Sequence, residues 1–418
     1  MRFIKLLNPK KTEIINIPAL MLNFYLNRNY TYASSNSKFY LKIRRLLNFI
    51  IKVKFKFKNP PKKKFLIYDC ENSSSLEKVL PKNSFDILST RIERINFIYI
   101  SMNLFLYMIV NFFSSSIKQN YIVGLIKIIS PKIVISHIDI STDFYKTAKI
   151  LSKTSIRFIV VSCSDVTGAD CLNDKKFLKN IFVPEFLCFS EYEKNLFNNC
   201  EINKFTSVGS LKAALAKDFV VKNKIKIDRE KYDICLISEA TFVNNDLPDV
   251  KDFETAPGIL AEYTHRLCRE KNLKLVFASK SNKNSGFISE GERYYYNNFL
   301  KDYDFKLERP DKEQGTYINV MRSKLIIGQF STILRESFYF NKKVLRCDLM
   351  GASSMCLPTK GMSEIKKFSY EEFKKRVMTI LLMSFDEYKN SLEFEANYAM
   401  NSNVNTSDYI RKVFKKYD

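Results

Sequence analysis

The sequence predicts an α/β protein built from two doubly wound parallel-sheet domains. The chain has 418 residues, of which 46% are apolar, so it is too long for one ordinary core and apolar enough for two. Short apolar runs alternate with segments of helical length between residues 65 and 215, and the alternation resumes after residue 232. Such alternation is typical of parallel sheets with helices on both faces. Both halves are therefore expected to be Rossmann-like.

The predicted elements follow the chain in order. In the first half the predicted strands are 65–69, 85–89, 132–139, 156–165 and 205–210, a strand runs into a helix within 186–199, and the helix-length segments are 97–113, 121–130 and 143–153. In the second half the predicted strands are YDICLISEA, LKLVFASK, FKLER, the start of KLIIGQFSTILRESFYFNKKVLRCD and its end, with helices between them and an amphipathic helix at 370–390. We predict a basic extension at 1–64, an N-terminal Rossmann-like domain at 65–216, a linker at 217–231, a C-terminal Rossmann-like domain at 232–369 and C-terminal helices at 370–418 that pack back across the domains.

The positive charge is concentrated at the start of the chain. The formal net charge is +24, and residues 1–64 hold 16 Lys and Arg against the single acid Glu13. Nucleic acid, a membrane surface and a phosphorylated substrate are the anionic partners to consider. The segment FYLKIRRLLNFIIKVKFKFK mixes cations with large apolar residues, which favours an anionic membrane surface over nucleic acid. A solvated, lysine-rich composition without a partner remains the alternative.

Two further features bound the environment of the protein. Phe97–Phe113 is 17 residues without a formal charge, near the lower length of a spanning helix, and a buried or membrane-grazing helix is the preferred interpretation. No secretory signal pattern opens the chain. Nine Cys without a CxxC pair and only two His indicate reduced thiols in a cytoplasmic protein and no metal site.

Polar clusters follow four of the predicted strands, where ligands bind in open parallel sheets. The first three are His137, Asp139, Ser141, Thr142 and Asp143; Ser162, Ser164, Asp165, Thr167 and Gly168; and Lys280 within FASKSNKNSG. The fourth is Gly328–Glu336. If the strand ends at Gly328, then Ser331 or Thr332 begins a helix whose free N–H groups attract an anion. Glu336 lies one turn after Thr332, suited to accept hydrogen bonds from sugar hydroxyls. An ordinary helix cap with a surface Arg335/Glu336 pair is the alternative.

The fourth cluster resembles the donor-binding element of GT-B glycosyltransferases, above all those of bacterial O-antigen or capsule synthesis. The likeness is carried by Ser331-Thr332-Ile333-Leu334-Arg335-Glu336 followed by Lys342-Lys343-Val344, and it extends to PKIVISHIDISTDFYKTAK and VGSLKAA. It spans about residues 65–385. SCSDVTG departs from the Gln- or Asn-rich turn of the family, and residues 1–64 lie outside the likeness.

The resemblance implies a GT-B fold with two domains facing a cleft, and a mechanism. A nucleotide sugar would bind the C-terminal half, with phosphates at Gly328, Ser331, Thr332 and Lys280 and with hydroxyls on Glu336. The catalytic base would be Asp139, then Asp165, then His137, in that order of preference. No cofactor or metal is expected, because a helix dipole and cations can stabilise the leaving phosphate.

The implied acceptor is a lipid-linked or oligosaccharide glycan, used by a peripheral protein on the inner face of the cytoplasmic membrane. Transfer of polyol phosphate from a CDP-linked donor, epimerisation of a nucleotide sugar, and a basic nucleic-acid-binding module stay open. The last is disfavoured, because Arg-Gly repeats and an aromatic RNA-binding signature are missing from the sequence.

Overall fold

The computed structural model describes residues 53–90, 94–113, 115–139, 141–164, 182–197, 200–227, 231–239, 250–279, 286–308, 314–349, 359–394, 398 and 400–417. Within them the chain forms two six-stranded, fully parallel sheets with helices on both faces. Residues after the carboxyl ends of the two sheets contact one another, as detailed below. The predicted fold class, two Rossmann-like domains that face each other, is confirmed.

The first sheet has the spatial order β10-β8-β6-β5-β2-β3. Its strands are β2 (Phe65–Tyr68), β3 (Phe85–Leu88), β5 (Ile133–Ser136), β6 (Arg157–Val161), β8 (Phe186–Cys188) and β10 (Phe205–Ser207). The helices of this domain are α1 (Ser73–Glu77), α2 (Met102–Val110), α3 (Ile117–Ile129), α4 (Thr142–Ile150), α5 (Tyr192–Leu196) and α6 (Leu211–Lys222). Ser side chains cap α2, α3, α4 and α6, which satisfies N–H groups that a helix start leaves open.

The second sheet has the order β13-β12-β11-β14-β15-β17, the strand order 3-2-1-4-5-6 of a dinucleotide-binding sheet. Its strands are β11 (Tyr232–Ile237), β12 (Leu275–Ala278), β13 (Leu307–Glu308), β14 (Ser323–Gly328), β15 (Lys343–Asp348) and β17 (Glu364–Lys366). The helices are α7 (Val250–Lys271), α8 (Gly286–Asn297), α9 (Gly315–Met321), α10 (Thr332–Ser337), a 3-10 turn (Phe338–Phe340), α11 (Tyr370–Leu382) and α12 (Phe385–Asn390).

Three short strand pairs lie outside the two main sheets. They are β1 (Lys54–Lys56) with β4 (Phe97–Tyr99), β7 (Phe182–Val183) with β9 (Glu201–Ile202), and β16 (Thr359–Gly361) with β18 (Leu392–Phe394). The first two pairs are parallel and the third is antiparallel.

The last helix returns to the first domain. α13 (Thr406–Lys415) buries Ile410, Val413 and Phe414 in the first-domain core, whereas α11 packs into the second-domain core through Phe373, Val377 and Ile380. The predicted helix at 370–390 is two helices, because Ser384 caps a new one with a reciprocal bond to Glu387. The predicted linker 217–231 begins inside α6, whose last turn buries Val220.

The segment Phe97–Phe113 is not helical throughout. Its first residues form β4, which pairs with β1, and the helix begins only at Met102, capped by Ser101. Nor is it buried as a whole: Leu104 is the buried residue of α2, while most of its other side chains are exposed. Across the described ranges, every helix is too short or too polar to cross a bilayer.

Candidate functional site

The second-domain crevice opens where the strand order reverses, between β11 and β14. Glu239 follows β11, and its buried carboxylate accepts the backbone N–H of Phe330 at 3.1 Å and those of Gln329 and Ser331 at shorter distances. Three N–H groups that converge on one point form an anion-binding nest. The helix start where phosphate was expected thus binds an anion, and the anion is a side chain of the protein.

The predicted donor residues line this nest. Gly328 ends β14, Ser331 occupies the cap position of α10 and Thr332 is its first residue. The Ser331 side chain makes no capping hydrogen bond; the Leu334 N–H donates to the Ser331 carbonyl instead, at 2.9 Å. Both hydroxyl side chains are half-buried.

The buried cation Arg346 also stabilises the loop that carries these N–H groups. Arg346 on β15 donates from Nε to the Gln329 carbonyl at 2.9 Å and pairs with the Glu364 carboxylate. The peptide between Gln329 and Phe330 therefore donates its N–H to Glu239 and accepts from Arg346 through its carbonyl, so both of its polar groups are bonded. Since Arg346 and Glu364 are both buried, the pair fixes the loop in a low-dielectric setting, where charged hydrogen bonds are strong.

Glu336 lies at the contact between the two domains. Its carboxylate accepts from Ser210 Oγ of the first domain at 2.5 Å and from Tyr317 Oη at 2.7 Å. Burial and the charge of Glu336 raise the pKa of Tyr317 well above its usual value. The predicted partner type, a hydroxyl, is present, but in this structure the hydroxyls belong to the protein.

Arg335 also bonds across the domain contact. It pairs with Glu193 on α5 at 2.5 Å, and its second terminal nitrogen donates to Ser190 Oγ and to the Tyr398 carbonyl. The side chains of Arg335 and Glu193 are 0% and 1% exposed. The surface-pair interpretation of Arg335/Glu336 is therefore wrong: both side chains turn inward, toward the first domain.

The first-domain crevice lies between β2 and β5, where that sheet also reverses its order. His137 follows β5, and its Nδ1 is 3.1 Å from the carbonyl oxygen of Asn72, which follows β2. A carbonyl can only accept, so Nδ1 carries the proton and Nε2 holds the lone pair. Burial and the charge of Lys212 lower the pKa of His137 to about 4. Backbone interactions of the ring with Asn72 and Ser162 oppose this lowering of the pKa. Among the described residues, no group meets hydrogen-bonding geometry with Nε2.

Asp139 is buried, and each of its carboxylate oxygens accepts one hydrogen bond. Its two oxygens accept from Ser162 Oγ at 2.9 Å and from the Cys163 N–H at 2.8 Å, so it positions the loop that follows β6. Burial raises the pKa of Asp139 to about 6, against the opposing effect of these hydrogen bonds. Lys212 donates to the Cys163 carbonyl at 3.1 Å, which ties α6 to the same loop.

An apolar cavity of about 970 Å³ adjoins this crevice. Its lining includes Asn72 and Cys70 and, from α2 and α3, Met108, Tyr121 and Leu125. The cavity is therefore bordered by Asn72, which contacts His137, and by the inner side of α2.

The remaining predicted residues give no geometry. Asp165 and Lys280 lie outside the described residues. Within the described residues, no group of three His, Cys, Asp or Glu side chains could hold a metal ion.

Sequence reasoning missed several residues of this region. They are Asn72, Ser190, Glu193, Ser210, Glu239 and Arg346. Glu239 follows the first strand of the second domain, so the rule that selected the other clusters would have found it. The partners of Glu193 and Ser210 lie in the other domain, and no local pattern indicates them.

No family model matches the chain, and a comparison with curated proteins finds no relative. Among solved structures it is similar to UDP-GlcNAc 2-epimerase from Neisseria meningitidis bound to UDP-GlcNAc, with 13% identity, a TM-score of 0.47 and coverage of 84% of this chain and 99% of that one. The wall teichoic acid polymerase TagF has 10% identity and a TM-score of 0.43, over 92% of this chain and 98% of that one. A UDP-forming α,α-trehalose-phosphate synthase from Burkholderia vietnamiensis has 9% identity and a TM-score of 0.44, over 85% and 97%. The fold class itself rests on the strand orders of this protein.

Proposed function

We propose that the protein is a glycosyltransferase that moves a sugar from a nucleotide-sugar donor to a growing, lipid-linked surface glycan of the O-antigen or capsule type. The observation that carries the proposal is the nest of N–H groups at the start of α10, which holds the Glu239 carboxylate. A nest of this kind also suits a phosphate oxygen. The donor phosphates would replace Glu239 there, next to the hydroxyls of Ser331 and Thr332, and the prediction that Lys280 also contacts them belongs to this proposal.

The acceptor would lie against the first domain. His137 is the better candidate base, because burial keeps it neutral at physiological pH and no described group meets hydrogen-bonding geometry with its Nε2. Asp139, the first choice from the sequence, has both oxygens engaged by the loop after β6. A general base must offer a lone pair to the attacking hydroxyl, and the two hydrogen bonds that Asp139 already accepts compete for its lone pairs. The apolar cavity beside Asn72 suits the hydrocarbon part of a lipid-linked acceptor.

The leaving nucleotide phosphate would be stabilised by the α10 start and by cations, without a metal. The buried Arg346 supports this assignment, since it holds the loop that presents the N–H groups. The protein would act as a peripheral protein on the inner face of the cytoplasmic membrane, bound through its basic residues 1–64.

Donor binding is the first test. Purified protein is heated with CMP-, CDP-, UDP-, GDP- and dTDP-linked sugars and polyols, and the unfolding temperature is recorded. At a concentration 100 times Kd, a true donor stabilises the fold by about 2.7 kcal/mol. If none of these compounds raises the unfolding temperature, the donor assignment fails. A mass change of the acceptor then separates sugar transfer from polyol phosphate transfer, and conversion of the donor without an acceptor indicates epimerisation.

Glu239→Gln sharpens this test. The change keeps the shape of the side chain but removes a negative charge from the nest, so the donor phosphate meets less repulsion. We expect the donor Kd to fall about tenfold, equivalent to about 1.4 kcal/mol, in a titration followed by calorimetry. Glu270→Gln is the matched control, because Glu270 pairs with Arg266 and Lys374 on the surface of the second domain. Equal donor affinity in wild type and Glu239→Gln would show that the nest is not part of the donor site.

The role of Glu336 needs an isosteric variant. Glu336→Ala would leave Ser210 and Tyr317 without their acceptor, so it lowers stability as well as activity. Glu336→Gln keeps an acceptor oxygen and the volume, and we expect it to lower kcat at least about tenfold with a smaller effect on stability. Turnover at the wild-type rate in Glu336→Gln would contradict the assignment of donor hydroxyls to this residue.

A further inference from the structure

The first domain exposes a concentrated apolar surface. Twelve of the sixteen large apolar side chains that are exposed in the described residues lie between Phe55 and Ile117. We define the apolar patch as its seven members on and just after α2: Met102, Phe105, Leu106, Ile109, Val110, Phe112 and Phe113. Val110 is 82% exposed and Phe113 is 97% exposed. Isolated apolar side chains on a surface need no explanation, but a contiguous set of this size marks an interaction site.

The helix that carries the patch is firmly mounted. α2 packs on α3, where Gly124 permits close approach: a Cβ there would lie 2.7 Å from atoms of Leu104 and Tyr107. Tyr121 of α3 also bonds both the N–H and the carbonyl of Tyr99, just before α2. The exposed side chains are therefore displayed by a fixed element, and refolding of α2 is not needed to present them.

The charge around the patch selects its partner. The sequence contains no Asp or Glu from Arg94 to Ile138, and none from Val53 to Lys64. β1 lies beside the patch through its pairing with β4 and brings Lys54 and Lys56, with Lys58 just beyond it. Lys56 Nζ lies 3.6 Å from the centre of the Phe97 ring, and Lys127 Nζ lies 4.9 Å from that of Tyr107.

We infer that the apolar patch inserts into the interface of an anionic lipid bilayer. Apolar side chains would enter the boundary between headgroups and acyl chains, while the lysines around them meet lipid phosphates. The surface does not suit the chain's own basic N-terminal segment or a second copy of the same patch, because either would bring more positive charge against these lysines. The inference is independent of sugar transfer, and it assigns membrane contact to the folded domain in addition to residues 1–64.

The chain contains no Trp, so a single introduced Trp reports its own surroundings. Phe105→Trp places the reporter in the patch. Leu382→Trp is the matched control, since Leu382 is 83% exposed at the end of α11 in the second domain. Both full-length variants are mixed with phosphatidylglycerol vesicles whose acyl chains carry bromine, which quenches Trp fluorescence on contact. We expect the Trp fluorescence of Phe105→Trp to be quenched at least twofold, and the quenching of Leu382→Trp to be less than a tenth of that. In vesicles of brominated phosphatidylcholine alone, we expect quenching of neither variant.

Three results would overturn the inference. One is vesicle binding without quenching of Phe105→Trp, which would mean that the patch does not enter the bilayer and that residues 1–64 make the membrane contact. Another is a blue-shifted, shielded Trp in a lipid-free monomer, which would mean that the chain covers its own patch. The last is a concentration-dependent blue shift without lipid, which would indicate a second copy. Donor-induced thermal stabilisation, measured on the same variants without vesicles, tests the proposed enzyme separately.

Discussion

At the scale of single residues, Arg335 and Glu336 show how a tertiary partner changes the meaning of a local pattern. Adjacent charges on a short helix suggest a solvated pair, yet both are buried here and each bonds a different element of the first domain. A charge that is taken out of water needs a partner and further hydrogen bonds. Arg335 has both, in Glu193 and in the oxygens of Ser190 and Tyr398.

The identity of the catalytic base leads to a pH prediction. A base acts only when it is unprotonated, so the rate falls as the pH drops through its pKa. With His137 as the base, kcat/KM should stay constant through pH 6 and fall only toward pH 4. With Asp139 as the base, the fall would instead be centred near pH 6. The measurement is kcat/KM for transfer between pH 4 and 8, in wild type and in His137→Asn.

Asp139→Asn serves as the control for this profile. It cannot act as a base, and its single acceptor oxygen replaces two, so one of the bonds to Ser162 and Cys163 is lost; if His137 is the base, it should retain more activity than His137→Asn. A profile whose acid limb lies near pH 6, together with an inactive Asp139→Asn, would restore the original preference for Asp139.

At the scale of elements, the Gly209-Ser210 turn joins three parts of the molecule. Ser210 caps α6 and donates to Glu336, while Gly209 takes a left-handed conformation with φ of 84°. A Cβ at Gly209 would lie 2.3 Å from the carbonyl oxygen of Asn401 in the segment that leads to α13. The VGSLKAA motif thus requires glycine for both its backbone conformation and the close passage of the returning chain.

Gly209→Ala should therefore destabilise the fold strongly. Left-handed backbone costs an alanine about 1–2 kcal/mol, and the clash with Asn401 costs about 1–3 kcal/mol more. We expect the free energy of unfolding in urea to drop by at least about 2 kcal/mol. Gly328→Ala is the comparison, because Gly328 is not in the left-handed region, and a Cβ there would lie 3.2 Å from its nearest neighbour, a side-chain atom of Leu334. Equal losses in the two variants would contradict the argument.

At the scale of the whole molecule, the two domains are joined by buried polar contacts that meet at α10. Arg335 bonds α5, Glu336 bonds the start of α6, and the chain crosses back so that α13 completes the first-domain core. The helix that carries the nest therefore also bonds the first domain, and it fixes the position of the candidate donor crevice relative to the candidate acceptor crevice. A donor that displaces Glu239 would act directly on this helix.

The buried ion pair permits a double-mutant test of the domain contact. Removing only one partner, in Arg335→Met or Glu193→Met, leaves a buried charge unpaired and should cost about 3–5 kcal/mol. The double variant should lose less than the sum of the two single losses, because no buried charge is left unpaired, although Ser190 and the Tyr398 carbonyl lose partners. Unfolding in urea measures all three variants. Additive losses in the double variant would show that the pair does not couple the domains.

The amino-acid sequence by itself determined the periodic elements and their class. The six strands of the first sheet, five of the six strands of the second, the helix at Gly315–Met321 and the start of α10 follow from apolar runs and turn residues, which act over a few residues; β17 was not predicted. The same local reasoning took 370–390 as one helix, because its apolar pattern continues through Ser384, where the capping bond to Glu387 starts a new helix. For the remainder of the predicted C-terminal helices at 370–418 it gave no bounds after residue 390, where α13 lies.

Only the tertiary structure decided which groups meet at the site. Glu239 is 90 to 92 residues from the N–H groups it binds, and Ser210 is 126 residues from Glu336. Such pairs form because sheet order and domain packing bring the ends of distant strands together, and a single chain of letters does not contain that order. For the same reason the sequence did not decide whether α2 is exposed, because its apolar composition suits a core and a membrane equally. In the structure, α2 packs on α3 and most of its side chains face outward.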